Sequence, residues 1–84
     1  MGDEERMRPE ELKELLDARP FVPLRIHMTD GKSFEVRHPE FVWIFRQCLE
    51  IAVLADEAKG IVDHVERCYY AHIVRVEKRE PRAA

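Results

Sequence analysis

Residues 24–36 read LRIHMTDGKSFEV, and this stretch decides the fold of the chain. Apolar and polar residues alternate on both sides of the Asp30-Gly31 pair, a pattern typical of two half-buried strands joined by a tight turn. Glycine suits such a turn because it adopts left-handed backbone angles without a steric penalty. The sequence therefore predicts a β-hairpin with strands at residues 24–29 and 32–37.

The pairing of the two strands follows from which residues must share a face. Residues directly opposite each other in an antiparallel pair lie on the same side of the sheet, so apolar residues should meet apolar ones. A two-residue loop would set Ile26 opposite Glu35 and mix the two faces. A three-residue loop with Gly31 in the left-handed region keeps the faces separate. The predicted pairs are Leu24 with Val36, Arg25 with Glu35, and Ile26 with Phe34.

A short amphipathic helix is expected before the hairpin. Pro9 is tolerated in the first turn of a helix, and the two glutamates that follow it complement the helix dipole. One apolar stripe runs along the helix and consists of Leu12, Leu15 and Leu16. Pro20 cannot continue the hydrogen-bond ladder, so the helix is predicted at residues 9–18.

Further strands are expected after the hairpin. A proline interrupts the ladder, and the run FVWIF that follows is too short for a helix and apolar on both faces. Arg46-Gln47 is predicted to form a tight turn, and residues 69–72 an irregular or 3₁₀ turn. The strands predicted from these patterns lie at residues 41–46, 48–54, 61–67 and 73–77.

Together these elements predict a single domain, residues 1–84, of the mainly β (α+β) class. The N-terminal helix precedes a five- or six-stranded antiparallel sheet that is strongly bent or closed into a small barrel. Closure is expected because it removes the exposed strand edges that a flat sheet of this size leaves. The helix then plugs one open end of the barrel.

Composition limits the kinds of partner. Apolar residues make up 45% and charged residues 37% of the chain, which is typical of a foldable globular domain. The net charge of −3 arises in residues 1–20, because the remainder holds ten acidic and ten basic side chains. Proteins that bind nucleic acid usually carry a basic excess, and the totals show none. No apolar run is long enough to cross a bilayer and the N-terminus is charged, so we expect a cytoplasmic protein that does not bind membranes.

The stretch RPFVPLRIHMTDGKSFEVRHPEF, residues 19–41, resembles a group of short bacterial proteins of unassigned function. Members of that group share a helix, an RPF-x-P segment, an RIH strand, a DG turn and an HPEF segment. The segment HIVRVE at residues 72–77 resembles the closing strand of the same group. The resemblance implies a compact domain.

The order of a helix followed by a barrel also resembles the Sm-like and SH3-like small barrels. A DG turn between the first two strands occurs in Sm-like RNA-binding proteins, which commonly place an Arg-Gly pair before the last strand to contact nucleotide. The matching stretch of this chain, residues 69–72, reads YYAH and contains no glycine. Architecture alone does not establish function, so RNA binding is carried as an alternative.

Residue types suited to catalysis are present without the spacing that such chemistry needs. Cys48 and Cys68 are far apart in sequence and match neither a zinc pattern nor a disulfide framework. A nucleophilic cysteine-histidine pair also needs an orienting carboxylate and an oxyanion hole, and no motif supplies them. Surface or turn positions are expected for the histidines, which are His27, His38, His64 and His72. We therefore expect no enzymatic activity, no metal and no cofactor.

The third predicted strand is more apolar than a single buried face requires. If Val42 and Ile44 point inward, Trp43 and its aromatic neighbours point outward, and the reverse arrangement exposes the aliphatic pair. Either the leucine stripe of the helix or a second chain is expected to cover the remaining face. The candidate interface residues are Phe41, Trp43, Phe45, Tyr69 and Tyr70.

The sequence therefore predicts a non-enzymatic small-barrel interaction or oligomerisation module that self-associates or binds a protein partner through the third strand or an open sheet edge. The alternative is an Sm-like single-stranded nucleic-acid binder, because exposed rings can stack on bases while neighbouring cations contact phosphate. The candidate nucleic-acid surface consists of Arg25, His27, Arg37 and Arg46.

Overall fold

The computed structural model describes residues 8–79. Its helix, α1, spans Pro9–Asp17 and so ends slightly before the predicted boundary. At the start of α1 the Arg8 backbone N–H donates a hydrogen bond to Glu11 Oε1 at 3.1 Å. At the other end Arg19 Nη1 donates to two main-chain carbonyl oxygens. Both contacts satisfy backbone groups that a helix terminus leaves without partners.

Six strands follow the helix, as the alternation predicts. Their bounds are β1 Leu24–Met28, β2 Ser33–Val36, β3 Val42–Ile44, β4 Cys48–Asp56, β5 Ile61–Tyr69 and β6 Ile73–Lys78. Two 3₁₀ turns, Pro39–Phe41 and Tyr70–His72, precede β3 and β6. The predicted outer limits of the domain, residues 1 and 84, lie outside the described residues.

The β1–β2 hairpin has the register that the sequence predicts. The observed pairs include Leu24 with Val36, Arg25 with Glu35, and Ile26 with Phe34. Gly31 has a φ of 90°, in the left-handed region that favours glycine. Asp30 Oδ1 accepts a hydrogen bond from the Lys32 backbone N–H at 2.9 Å and so stabilises the three-residue loop.

The third strand is shorter than the predicted range, residues 41–46. Proline fixes φ and lacks an N–H, so the chain first makes the Pro39–Phe41 turn. Phe41 therefore lies in that turn and outside the strand, which corrects the prediction. At the other end the Phe45 N–H donates to the Cys48 carbonyl oxygen at 2.8 Å, which confirms the predicted tight turn between them.

The strands form two antiparallel sheets of three strands each, ordered β2-β1-β6 and β3-β4-β5. The chain leaves the first sheet through the Pro39–Phe41 turn and returns to it through the Tyr70–His72 turn. Corners of this kind let two sheets enclose one core. The mainly β architecture is thus confirmed. Within residues 8–79 no ladder joins the two sheets, so the predicted closure into a barrel is not confirmed.

The core lies between the two sheets and beneath α1. Leu12 and Leu16 are buried in it and Leu15 packs against it, as the apolar stripe predicts. The other buried members are Leu24, Ile26, Val36, Leu49, Ile51, Cys68, Tyr70 and Ile73. Among the described residues no charged side chain is buried.

Strands β4 and β5 form the longest ladder of the molecule. Bulges distort this ladder near the turn that connects the two strands. All residues from Ile61 to Val65 on β5 are exposed. This end of the hairpin therefore projects beyond the core, and the bulges increase its local twist.

Candidate protein-interaction surface

Alternation within the β3-β4-β5 sheet divides its side chains between an inward and an outward face. Val42 and Ile44 pack against the core. Trp43 between them points outward, with 45% of its surface exposed. The ladders set Trp43 opposite Glu50, and Glu50 opposite Arg67. These three side chains share the outward face because directly opposed residues lie on the same side of a sheet.

A second row of residues lies on the same outward side. Phe45 adjoins Cys48 through the hairpin hydrogen bond, and Cys48 is opposite Tyr69. Phe45 and Tyr69 are 49% and 44% exposed, and Val65, opposite Ala52, is 48% exposed. We refer to this outward side as the aromatic face. Its exposed apolar members are Trp43, Phe45, Val65 and Tyr69.

An ion pair lies in the middle of the aromatic face. Arg67 Nε and Nη2 donate to Glu50 Oε2 at 3.0 and 2.8 Å. The Glu50 side chain is half-buried between its neighbours on the two flanking strands. Because the two charges are paired within the chain, a partner that covers this face meets neither as an uncompensated charge.

The helix covers the opposite side of this sheet. It packs against β3, and its buried Leu12 and Leu16 belong to the same cluster as the inward-facing Ile44. The leucine stripe therefore seals the inward face, whereas Trp43 and Phe45 remain exposed. The helix therefore covers the aliphatic side of β3 and leaves its aromatic side open.

Two of the predicted interface residues lie elsewhere. Tyr70 is only 5% exposed, and its hydroxyl donates to the Phe45 carbonyl oxygen at 2.6 Å. Burial raises the pKa of Tyr70 to about 12. Tyr70 therefore belongs to the core. It begins the 3₁₀ turn, and there its ring points inward, whereas the ring of Tyr69 at the end of β5 points outward.

Phe41 lines an open groove of about 380 Å³ that runs between β2 and β4. Its ring meets the imidazole of His38 edge to face, with centroids 6.1 Å apart. The rim of the groove carries Arg37 and Glu57, whose charged groups lie 3.4 Å apart. Glu57 also contacts His38 Nε2 at 2.9 Å, so both basic side chains at this rim have a carboxylate partner within the chain.

The outward side of the β2-β1-β6 sheet is different in character, and we refer to it as the charged face. Its ladder residues are Arg25, His27, Glu35, Arg75 and Glu77, and Arg37, which follows β2, contacts Glu35. Three of the four predicted nucleic-acid-binding residues are brought together there, and the fourth, Arg46, lies in the β3–β4 turn.

Carboxylates on the charged face pair with its basic side chains. Arg25 Nη2 lies 3.3 Å from Glu35 Oε2, and His27 Nε2 lies 3.0 Å from Glu77 Oε1. The hydrogen bond from Arg25 lowers the pKa of Glu35, and the one from His27 lowers the pKa of Glu77. Little positive charge therefore remains on this face for phosphate contacts.

The exposed aliphatic side chains of β5 were not anticipated as part of any site. Ile61, Val62 and Val65 are 52%, 42% and 48% exposed. Their alternation in sequence is weak, because apolar residues fall on both sides of the strand among charged ones. The available signal was the combination of a long strand and apolar residues on both of its faces.

The two cysteines are free thiols on opposite faces of neighbouring strands. Cys68 is fully buried, and this burial raises the pKa of its thiol to about 11, which suits a packing role better than a nucleophilic one. Within residues 8–79 there is no cluster of three or more His, Cys, Asp or Glu side chains that could hold a metal ion.

No helix in the described part of the chain combines the length and the apolar character needed to traverse a bilayer. Comparison of the chain with family models, with curated proteins and with solved structures gives no match.

Proposed function

We propose that this protein is a non-enzymatic interaction module of the small-barrel type, related in architecture to Sm-like and SH3-like domains, that self-associates through its aromatic face. An antiparallel sheet with one face on the core normally turns polar side chains to water on the other. The β3-β4-β5 sheet instead presents Trp43, Phe45 and Tyr69 at 44–49% exposure. This departure is the observation that carries the proposal.

A second copy is the partner that fits this face best. Two such faces can pack as the halves of a β-sandwich, with aromatic side chains from both sheets in the interface. Aromatic residues dominate the energetics of protein interfaces, because a ring buries a large apolar area and loses little conformational freedom. The internal pairing of Arg67 with Glu50 leaves neither charge without a partner after contact.

Two structural corners support the small-barrel assignment. Each occurs where the chain changes sheets, at the Pro39–Phe41 turn and at the Tyr70–His72 turn. Between them the β3-β4-β5 sheet is a continuous meander. An N-terminal helix, two short sheets and one shared core match the order of elements expected for that class.

The proposal is tested by sedimentation equilibrium up to millimolar concentration, on the wild type and on Trp43→Ser. We expect the wild type to associate and Trp43→Ser to weaken association by at least about tenfold, as for a buried aromatic anchor. Val74→Ser is the matched control, because Val74 is 56% exposed on the other sheet. A wild type that stays monomeric throughout would refute self-association.

A titration with single-stranded oligonucleotides separates the alternative function. Binding that appears at low salt, weakens steeply as salt rises and is reduced by Arg37→Ala would favour a nucleic-acid binder. We expect no such binding, because Arg37 already contacts Glu35 and Glu57 at 3.5 and 3.4 Å.

A further inference from the structure

Strand β5 is the longest edge strand in the described structure, and its protection against pairing consists of a bulge beside Asp63 and the charged side chains of its central residues. It has nine residues and is hydrogen-bonded only to β4 in the described structure. Within residues 8–79, four of the seven exposed large apolar residues lie on it, namely Ile61, Val62, Val65 and Tyr69. Soluble proteins usually shield such an edge, because its free N–H and C=O groups can pair with another strand.

The other outer strands are poorer candidates for pairing. Strands β2 and β3 contain only four and three residues. Strand β6 is shorter than β5, with six residues against nine, and a larger share of its residues is charged, namely Arg75, Glu77 and Lys78. The β5 edge is therefore the one best suited to accept a further strand.

Symmetry restricts how β5 can pair with a second copy of itself. In an antiparallel pair related by a two-fold axis, directly opposed residues share a face, so one residue must lie opposite its own copy. In the central segment, residues 64–67, Glu66 and Arg67 are charged and His64 can become charged. Like charges directly opposite each other are destabilising. Only Val65 can occupy the axis in this central part of the strand without such a repulsion.

The register centred on Val65 also matches opposite charges. It sets His64 of each copy opposite Glu66 of the other, twice by symmetry. In the single chain His64 already lies between Asp63 and Glu66, with its ring nitrogens 2.7 and 2.8 Å from their oxygens, so its surroundings favour the charged imidazolium. Hydrogen bonding to Asp63, and then to Glu66, raises the pKa of His64 accordingly.

We propose that β5 pairs antiparallel with β5 of a second copy, with Val65 on the two-fold axis, to join two β3-β4-β5 sheets into one six-stranded sheet. Val65 is the midpoint of Ile61–Tyr69, so this register gives the greatest overlap of the two strands. The bulge beside Asp63 confines the regular part of the new ladder to the residues next to Val65. Both aromatic faces then lie on the same side of the joined sheet.

This edge contact goes beyond the proposed function, because it uses the free backbone edge of β5, whereas the proposed function uses the outward side chains. The Val65 side chain belongs to both surfaces. Association through the face alone gives a dimer that Trp43→Ser dissociates and Glu66→Lys does not, because Glu66 lies opposite Ile51 on the inward side of the sheet. In the edge contact Glu66→Lys instead sets a second basic side chain opposite His64. Association through the edge alone gives the reverse. Both contacts together give a tetramer with two kinds of two-fold interface, which each variant reduces to a dimer.

Disulfide trapping tests the register directly. Opposed residues of an antiparallel pair have Cβ atoms about 4.5–5.5 Å apart, close enough for a disulfide after small adjustments. We expect Val65→Cys, in a Cys48→Ser background, to form a covalent dimer on mild oxidation. Val74→Cys in the same background is the control, because Val74 is equally accessible but lies on the charged edge strand β6. Equal trapping at both positions, or none at position 65, would overturn the proposal.

A charge placed on the axis gives an independent test. Val65→Lys sets two ammonium groups opposite each other, and we expect at least about a tenfold loss of edge association, with Val65→Thr retaining it. Because Val65 is 48% exposed, the circular dichroism spectrum and thermal midpoint should match those of the control Val74→Lys. If folded Val65→Lys associates as strongly as the wild type, β5 pairing is ruled out even where face association persists.

Discussion

The two sheets turn opposite kinds of surface to solvent. On the charged face of β2-β1-β6, carboxylates alternate with cations, and Arg25 and His27 each contact a glutamate within 3.3 Å. On the aromatic face of β3-β4-β5, rings surround a single central ion pair. Both faces follow the same alternating geometry. The difference shows that the fold leaves an outward face free to be polar, and that the apolar composition of one face needs a separate explanation, such as a partner.

The largest expected effect comes from giving the aromatic face the character of the charged one. In Trp43→Arg/Phe45→Glu the net charge is unchanged and two exposed rings are replaced by an ion pair. We expect self-association to weaken by about a hundredfold or more, because two anchors are lost together. Sedimentation equilibrium measures the change, and Arg75→Ala on the charged face is the control. Equal weakening by the control would contradict the assignment of the interface to one face.

A second comparison concerns two adjacent tyrosines, Tyr69 on the aromatic face and Tyr70 in the core. Tyr70→Phe removes the hydrogen bond to the Phe45 carbonyl oxygen and leaves that oxygen short of a partner at the β3–β4 turn. We expect the free energy of unfolding to fall by about 1–2 kcal/mol. Urea denaturation measures it, and the exposed Tyr69→Phe should change it by less than about 0.5 kcal/mol. Similar losses for both variants would contradict the distinction between core and surface.

Acid should weaken the charged face selectively. The pKa values of Glu35 and Glu77 are lowered by Arg25 and His27. Their contribution to stability is therefore fully present above the ordinary value of 4.5 and is lost as pH falls through the lower folded values. The thermal unfolding midpoint is measured as a function of pH, and its fall at acid pH is the acid limb of that curve. We expect this fall to be less steep in Glu35→Gln/Glu77→Gln than in the wild type.

The control for the acid experiment is Glu40→Gln, in an exposed 3₁₀ turn away from the charged face. It should leave the acid limb as steep as in the wild type. An acid limb that is unchanged in the double variant would show that the contacts of Glu35 and Glu77 contribute little to folding.

The smallest expected effect concerns the pairing of His64 with Asp63 and Glu66 on β5. Because the folded pKa of His64 is raised above 6.5, its pairing contributes to stability below that value and is lost as pH rises through the folded value. We expect NMR titration of the His64 ring to show a midpoint above 6.5 that falls in Asp63→Asn/Glu66→Gln. A midpoint unaffected by this double variant would mean that the carboxylates do not hold the ring.

Local patterns predicted much of this fold from the sequence. The faces of β1 and β2 and the glycine between them selected one hairpin register, and the structure has that register. The two prolines that limit α1 also placed its boundaries well. These predictions succeeded because each depends on neighbours in the chain and on backbone geometry that a few residues impose.

The candidate site was only partly predictable. Trp43, Phe45 and Tyr69 lie together on one face, whereas Phe41 and Tyr70 do not. Each exception lies in a 3₁₀ turn, where the two-residue period of a strand no longer applies. The direction of these two side chains depends on how each corner turns, which the alternation in sequence does not report.

The sequence by itself determined the helix, the series of short strands after it, the leading hairpin and the presence of more apolar surface in the third strand than one face can bury. Only the tertiary structure decided that the strands separate into two sheets, that α1 covers the aliphatic side of β3, and that the aromatic side stays open. The physical reason is the separation in sequence over which each kind of interaction acts. Alternation and turn chemistry act between residues a few positions apart, whereas the cover on a sheet face is set by contacts between segments distant in sequence.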